Sequence, residues 1–545
     1  MKYKQNKKAS VKTFKLKLLP RYAAMGRWSA GLLIAAGMQT LVLPSLQADT
    51  TKMQITDGGI TTAVEGGLSA ARGVSLNGVD VSTSQGVVTL SGSVDNLLDK
   101  ERALKTARNI RGVLDVTDQI TVNSGAVPDD TLRKNIQQAL KQDPATESYQ
   151  ATVAVQGAVV TLTGSVASYA EKQLVTRVAE GVKGVKVVRN QIAIAYQAQR
   201  MDAEIAADLQ SVLQWGDVWV NGDSIKPVVK DGQVTLTGTI GSAISKSRAY
   251  DDAWVNGVTA VDDSGLKIDP GVHNGALQKS KASSRSDGQI QQAVQAALRA
   301  DPRVSAFTPE VTVAEGTVSL GGTVGNLKAE SSAELDAKNV PGVRLVDNHL
   351  KVRSKDTTVA ADTESQLKSA LTWDPWLDDS PTIDVAVINH VAYLSGGVDS
   401  SFQKAEAQDV ASRTKGVLEV RNHLKIVPDY LNDDYYSDYD YYSDYDYGYY
   451  NWPYYTGSPY YNESPDYLSE QSGPQPYKSD AAIKKSIEDR MFWSPFVDRD
   501  DVKVTVKGGV ATLNGSIGTW IGWGEAEKDA HKGGASFVRD RVSVD

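Results

Sequence analysis

The chain has 545 residues, 41% apolar and 23% charged, an ordinary globular composition that excludes a wholly disordered chain and a multi-span membrane protein. It has no cysteine, which excludes disulfides, thiolate metal sites, cysteine nucleophiles and lipid acylation of a cysteine. Of 58 Lys/Arg and 66 Asp/Glu, nine basic and no acidic groups fall in residues 1–48, so the remainder carries a net of −17, too acidic for general nucleic-acid binding.

Residues 1–48 read as a secretory signal peptide. Basic residues from Lys2 to Arg27 precede an apolar run from Ala30 to Leu43, and small residues follow up to Ala48. The run is about 14 residues, against the roughly 20 that a bilayer span needs. An uncleaved anchor is the alternative; both readings expect export from a bacterial cytoplasm.

The body repeats itself. The phrase Gly86-Val-Val-Thr-Leu-Ser-Gly92 returns as Val160-Thr-Leu-Thr-Gly164, Val234-Thr-Leu-Thr-Gly238, Val318-Ser-Leu-Gly-Gly322, Ala392-Tyr-Leu-Ser-Gly396 and Ala511-Thr-Leu-Asn-Gly515. A second glycine follows each at 19 or 20 residues: Gly112, Gly184, Gly257, Gly342, Gly416 and Gly534. Six copies follow, at 57–123, 128–196, 200–269, 286–353, 361–428 and 479–545.

Copy one is weak at its start. Its first helix is expected within Thr61–Ala71, where Gly66 and Gly67 disfavour helix. Copy two shows the pattern best. Leu132, Ile136, Ala139 and Leu140 have helical spacing, and Asp143-Pro144 stops that helix. Val153 and Val155, a Gln156-Gly157-Ala158 turn, then Val160, Leu162 and Val166 predict a hairpin, with Gly164 at a close approach or bulge. Ala170, Leu174, Val175 and Val178 predict a second helix, with Gly184 as its C-cap. Val185, Val187, Val188, Ile192 and Ile194 complete one last strand. The expected fold is α+β: a tandem array of small α-β-β-α-β units, each a three-stranded mixed sheet packed by two helices. Units of about 70 residues are marginal alone, so contact between copies would help.

Between copies five and six, residues 429–477 hold 16 of the 23 tyrosines, ten acidic residues and no Lys or Arg. The segment has no core periodicity and reads as a disordered linker, a solvated spacer or a sticky contact. A divalent-cation sink is the remaining use, although the segment lacks the spacing and turn glycine of a calcium loop.

No catalytic or metal motif is present: no Gly-x-Ser-x-Gly elbow, phosphate loop or His-Glu-x-x-His. His349 and His423 share a place in their repeats, which suggests packing or surface before ligation. Aromatic residues close the first helices of three copies: Trp215 and Trp219, Trp373 and Trp376, then Phe492, Trp493 and Phe496. They either cap the small cores, touch a lipid interface, where indole suits both phases, or touch a client or another copy. Lys279, Lys281 and Arg285 offer a local basic cluster for an anionic surface.

The Asp-Pro pairs at 143–144, 301–302 and 374–375, the Val-Thr-Leu-x-Gly strands and phrases such as Gly184-Val-Lys-Val-Val-Arg-Asn resemble the BON domain family, over nearly all of 60–545 except the insert. The resemblance implies a non-enzymatic protein without cofactors, in the periplasm or on the outer membrane of a Gram-negative bacterium. It also implies roles in osmotic or envelope stress, with anionic phospholipid or unfolded periplasmic clients as partners. A structural or adhesive role through the tyrosine-rich insert is the third reading.

Overall fold

A computed structural model describes residues 55–69, 78–196, 199–215, 224–272, 285–353, 360–377, 383–426 and 478–544. The signal segment, the insert 429–477, Trp219, Lys279 and Lys281 lie outside the described residues. So does the side chain of Trp215, although its backbone closes the helix Asp202–Trp215.

In copy two the first helix, Asp129–Gln142, buries Leu132, Ile136 and Leu140 along one face. It ends at Asp143, because Pro144 lacks an N–H and pushes the residue before it out of the helical region. Strands Gln150–Gln156 and Val159–Val166 pair antiparallel, and Val187–Asn190 joins the second of them in parallel. The second helix, Tyr169–Glu180, is the crossover such a parallel pair requires. Val153, Val160, Leu162 and Val166 of the sheet meet Leu174, Val175 and Val178 of that helix in one core. The same mixed sheet, middle strand central, recurs in all six copies.

Side-chain caps fix where the second helices begin. Asn96, Ser168, Ser242, Asn326, Ser400 and Thr519 each accept the N–H three residues on. The first helices are tied to the hairpins. Asp57, Asp129, Asp202, Asp287 and Asp480 each accept two successive N–H groups of the hairpin turn at 2.7–3.0 Å. Copy five has Ala360 at that place, and Glu364 instead accepts the Val387 N–H at 3.2 Å.

Three expectations change. The first helix of copy one is Asp57–Ser69, beginning earlier than expected and running through both glycines. Buried Ile60, Val64 and Leu68 outweigh the roughly 1 kcal/mol each glycine costs a helix. Gly67 also permits close helix packing, since a Cβ there would stand 2.8 Å from Thr106 Cγ2. Gly184 is not the C-cap: the helix closes at Gly181, φ −73°, and Gly184 at φ +98° turns the chain toward the third strand. The last strand is broken, as Val187–Asn190 and Ala193–Ile194. Asn190 Oδ1 accepts the Ile192 N–H at 2.9 Å there, and Asn348 and Asn422 repeat the contact with Leu350 and Leu424. Val187 is left 44% exposed instead of facing the core.

The copies do not stand apart. Leu97 of copy one enters the core of copy two, Ala243 of copy three that of copy one, and Ile521 of copy six that of copy three. Leu327 of copy four packs on the core of copy five. Each lies at the start of a second helix. Tyr169, at the same place in copy two, stacks on Trp254 of copy three with centroids 4.5 Å apart.

Candidate functional site

The Asp-Pro pairs build the center of this packing. Asp143, Asp301 and Asp374 end their first helices, and each accepts the N–H two residues on, from Ala145, Arg303 and Trp376, at 2.8–3.0 Å. Copy six does the same with Ser494 Oγ and the Phe496 N–H at 3.3 Å. These turns hold the three aspartates buried where copies meet.

Arg303 of copy four donates to both carboxylate oxygens of Asp143 in copy two, at 3.3 and 3.1 Å. Lys328 of copy four meets Asp409 of copy five at 2.6 Å, both side chains under 5% exposed. Arg413 reaches Asp374 and Glu406 at 3.2 Å each, and Asp409 at 3.6 Å. Lys415 of copy five bonds Glu147 of copy two at 2.7 Å. Asp336 and Glu406 add further buried carboxyls beside Asp301 and Asp374.

A cavity of about 360 Å³ opens beside these groups, with walls from copies one to five. Arg102, Arg177, Arg303 and Arg413 line it together with Trp376 and Phe402. The Arg102 guanidinium sits 4.7 Å from the Phe402 ring centroid, a cation–π contact between copies one and five.

Burial sets the protonation here. Desolvation pushes Asp374 and Asp336 well above the usual carboxylate range, helped by Glu406 and Asp301 respectively. Glu180 is pushed up to about 7 by burial and then by Glu101 across the joint between copies one and two. Asp99 is raised to about 6 by burial, against the pull of its hydrogen bond from Trp376. Burial would also raise Asp409, but Lys328 and Arg413 overcome it and hold that carboxylate ionised.

Of the aromatic residues read from the sequence, Trp373, Trp376, Phe492, Trp493 and Phe496 lie at joints between copies. Trp376 Nε1 donates to Asp99 Oδ1 of copy one at 2.7 Å. The carbonyl of Trp373 accepts the Lys183 N–H of copy two at 2.9 Å, and that of Trp493 accepts the Arg111 N–H of copy one at 2.8 Å. The Trp493 ring packs on the core of copy one, and Phe496 on that of copy three. Phe492 lies edge-to-face with Trp493 at 5.1 Å, with the Arg111 guanidinium 5.4 Å from its ring center. His349 and His423 are exposed. Arg285 donates to the Pro341 carbonyl at 2.9 Å within copy four. Among the described residues no cluster of His, Asp or Glu has the arrangement of a metal site, and no described helix is long and apolar enough to cross a membrane.

Sequence reasoning missed the charged junction. Arg303, Lys328, Asp409 and Arg413 belong to no repeated phrase. The signal within reach was the recurring Asp before Pro, which served only as a helix stop.

The BON domain family model matches six times, at 56–124, 128–196, 201–270, 286–354, 360–428 and 479–545. Osmotically-inducible protein Y of Escherichia coli (strain K12) is 32% identical over 143 residues, covering 25% of this chain and 71% of that protein. Two structures of CdsD, a structural protein of the type III secretion system of Chlamydia trachomatis, are 15% identical at a TM-score of 0.11. They cover 37% and 42% of this chain, and 88% and 100% of theirs. The six matches take in every described copy, and the chain belongs to the BON domain family.

Proposed function

We propose that the chain is an exported, non-enzymatic protein of the bacterial envelope that binds phospholipid surfaces and supports the envelope under osmotic stress. The observation that carries the lipid part is the joint of copies one and six. Half-buried Phe492 and Trp493 lie there beside the half-buried Arg111. Aromatic rings with a neighbouring cation suit the bilayer interface, where rings take the acyl boundary and the cation takes phosphate. Likeness to Osmotically-inducible protein Y supports the stress role. Repeated modules raise avidity where each contact is weak.

Flotation of residues 49–545 with neutral or anionic vesicles, at low and physiological salt, tests this. Binding to anionic vesicles that weakens with salt, and weakens again in Phe492→Ala, is expected. Absence of flotation under all four conditions removes the lipid reading.

Chaperone-like holding of exported proteins is the second reading. Val187, Leu345 and Phe537 favour it: each stands three residues past a repeat glycine on a third strand, 44%, 48% and 56% exposed. Suppression of client aggregation without lipid would support it.

A further inference from the structure

Five copies meet around one cavity. Its volume of about 360 Å³ lies within the roughly 300–1,000 Å³ common for small-ligand sites. Copy one contributes Arg102 to its walls, copy two Arg177, copy three Tyr250, copy four Lys328, and copy five Trp376 and Phe402. No single copy could form it.

The aromatic wall is held in place. Trp376 Nε1 donates to Asp99 at 2.7 Å, and the Trp376 carbonyl accepts from Gln403 Nε2 at 3.2 Å. Its ring meets that of Phe402 edge to face, with centroids 5.2 Å apart. The Arg102 guanidinium sits over both rings, 4.7 Å from the Phe402 centroid and 5.9 Å from that of Trp376. Such stacking uses the flat face of the guanidinium. Its N–H donors lie in the plane, the geometry that meets a carboxylate.

The charges divide by copy. In copies four and five, Arg303, Lys328 and Arg413 are matched by Asp143, Asp409 and Asp374 at 2.6–3.2 Å. In copies one to three, Arg102, Lys105 and Arg177 line the cavity with Glu101, Glu180 and Asp251. Burial raises Glu101 and lifts Glu180 to about 7, so cations outnumber full negative charges on that side at neutral pH. Surplus positive charge away from bulk water favours an anionic guest. A cationic guest would meet Arg102 already seated over both rings.

We propose that the cavity binds a small organic anion with a flat apolar body, its acid groups meeting Arg102 and Arg177 and its body lying along Trp376. Because five copies supply the walls, an occupied site holds them together, and binding stabilises the array by mass action. The lipid reading concerns Phe492 and Trp493 at another joint, so the two stand or fall separately.

Calorimetric titration of the full chain with phthalate, succinate, inorganic phosphate and benzylammonium tests this. Phthalate should bind once per chain and raise the melting temperature. It should bind about tenfold or more tightly than succinate or phosphate, through contact of its ring with the aromatic wall. Benzylammonium should not bind. Arg177→Gln should weaken phthalate about tenfold or more, the loss of one charged hydrogen bond. Gln173→Trp changes a half-buried lining residue, removes no charge, and should fill the cavity and abolish phthalate binding. Phthalate affinity retained in Gln173→Trp, phosphate binding as tightly as phthalate, preference for benzylammonium, or no binding of any probe overturns the proposal. If neither variant folds, the order of the four probes on the wild type decides.

Discussion

Trp376 donates its indole N–H to Asp99 at 2.7 Å although 277 positions separate them in the sequence. The same carboxyl also accepts from Asn96 Nδ2 at 2.9 Å, so one buried aspartate steadies the Asn96 cap of a helix in copy one and holds copy five against it. Trp376→Phe keeps most of the ring and removes the donor. It should destabilise the array by about 1–3 kcal/mol, the range for a buried group left without its partner, and raise Asp99 beyond its value of about 6. Denaturant melts of wild type and variant at pH 7 measure the first effect. Carbon-13 titration of Asp99 measures the second.

The ion pair of Lys328 and Asp409 makes a sharper contrast. Lys328→Met leaves Asp409 buried without its closest cation and should cost on the order of 3 kcal/mol. Lys328→Met with Asp409→Leu removes both charges and should recover most of that loss. A double variant less stable than the single one would show that the pair holds more than its own charges.

Ala360→Asp should stabilise copy five. Five copies place an aspartate there to grip the hairpin turn, and in copy five the turn residues Asn389 and His390 both have positive φ. The gain should be on the order of 1 kcal/mol, as for a helix-end cap. Such a carboxylate is held low by the N–H bonds, as Asp480 is by Gly509 and Gly508. A depressed pKa gives stability above the ordinary carboxylate range that is lost as pH falls through the depressed value. The gain should therefore be present at pH 7 and vanish in strong acid, as calorimetry at both pH values would show.

Overall stability should fall as pH rises from about 5 to about 8. Asp99 at about 6, Glu180 and Asp529 at about 7 and Glu527 at about 8 are all raised, first by burial. Each has a folded pKa above its unfolded one near 4, so the folded chain binds more protons throughout that window. Melting temperatures at pH 5, 6.5 and 8 should decrease in that order. An increase would mean that these carboxylates find compensation in the folded chain.

Gly164 and Gly157 should part company when changed to alanine. Both have positive φ, but a Cβ on Gly164 would stand 2.2 Å from the Gln150 carbonyl oxygen and one on Gly157 meets nothing within 4 Å. Gly157→Ala should cost about 1 kcal/mol for backbone conformation alone. Gly164→Ala should cost several times that, because the two hairpin strands must separate, and urea midpoints of the pair of variants give the ratio.

The unit was legible because its signals are local. Leu132, Ile136 and Leu140 mark a helix face, Val160 and Leu162 a strand face, and Pro144 a stop. The spacing of Gly164 and Gly184 fixed the repeat, yet it could not reveal that Gly181 and not Gly184 caps the helix, since both lie within one turn of each other. The broken third strand follows from the Asn190 side chain taking the Ile192 N–H, a contact that apolar alternation does not encode. The junction was illegible for another reason. Arg303 and Asp143 lie 160 positions apart, and neither carries a periodic pattern. Trp376 and Trp493 stand out in the sequence at the ends of first helices, but whether such rings face lipid, a core or another copy depends on how copies pack.

The bond from Arg111 to the Trp493 carbonyl joins the first copy to the last. A chain made from its amino terminus therefore presents copy one long before its neighbour in space exists. Until Trp493 arrives, the apolar surface beside Ile60 has no cover, and a product that stops before copy six never acquires one. Quality control acting on nascent or truncated chains would read that uncovered surface directly, so closure of the array waits on the arrival of copy six.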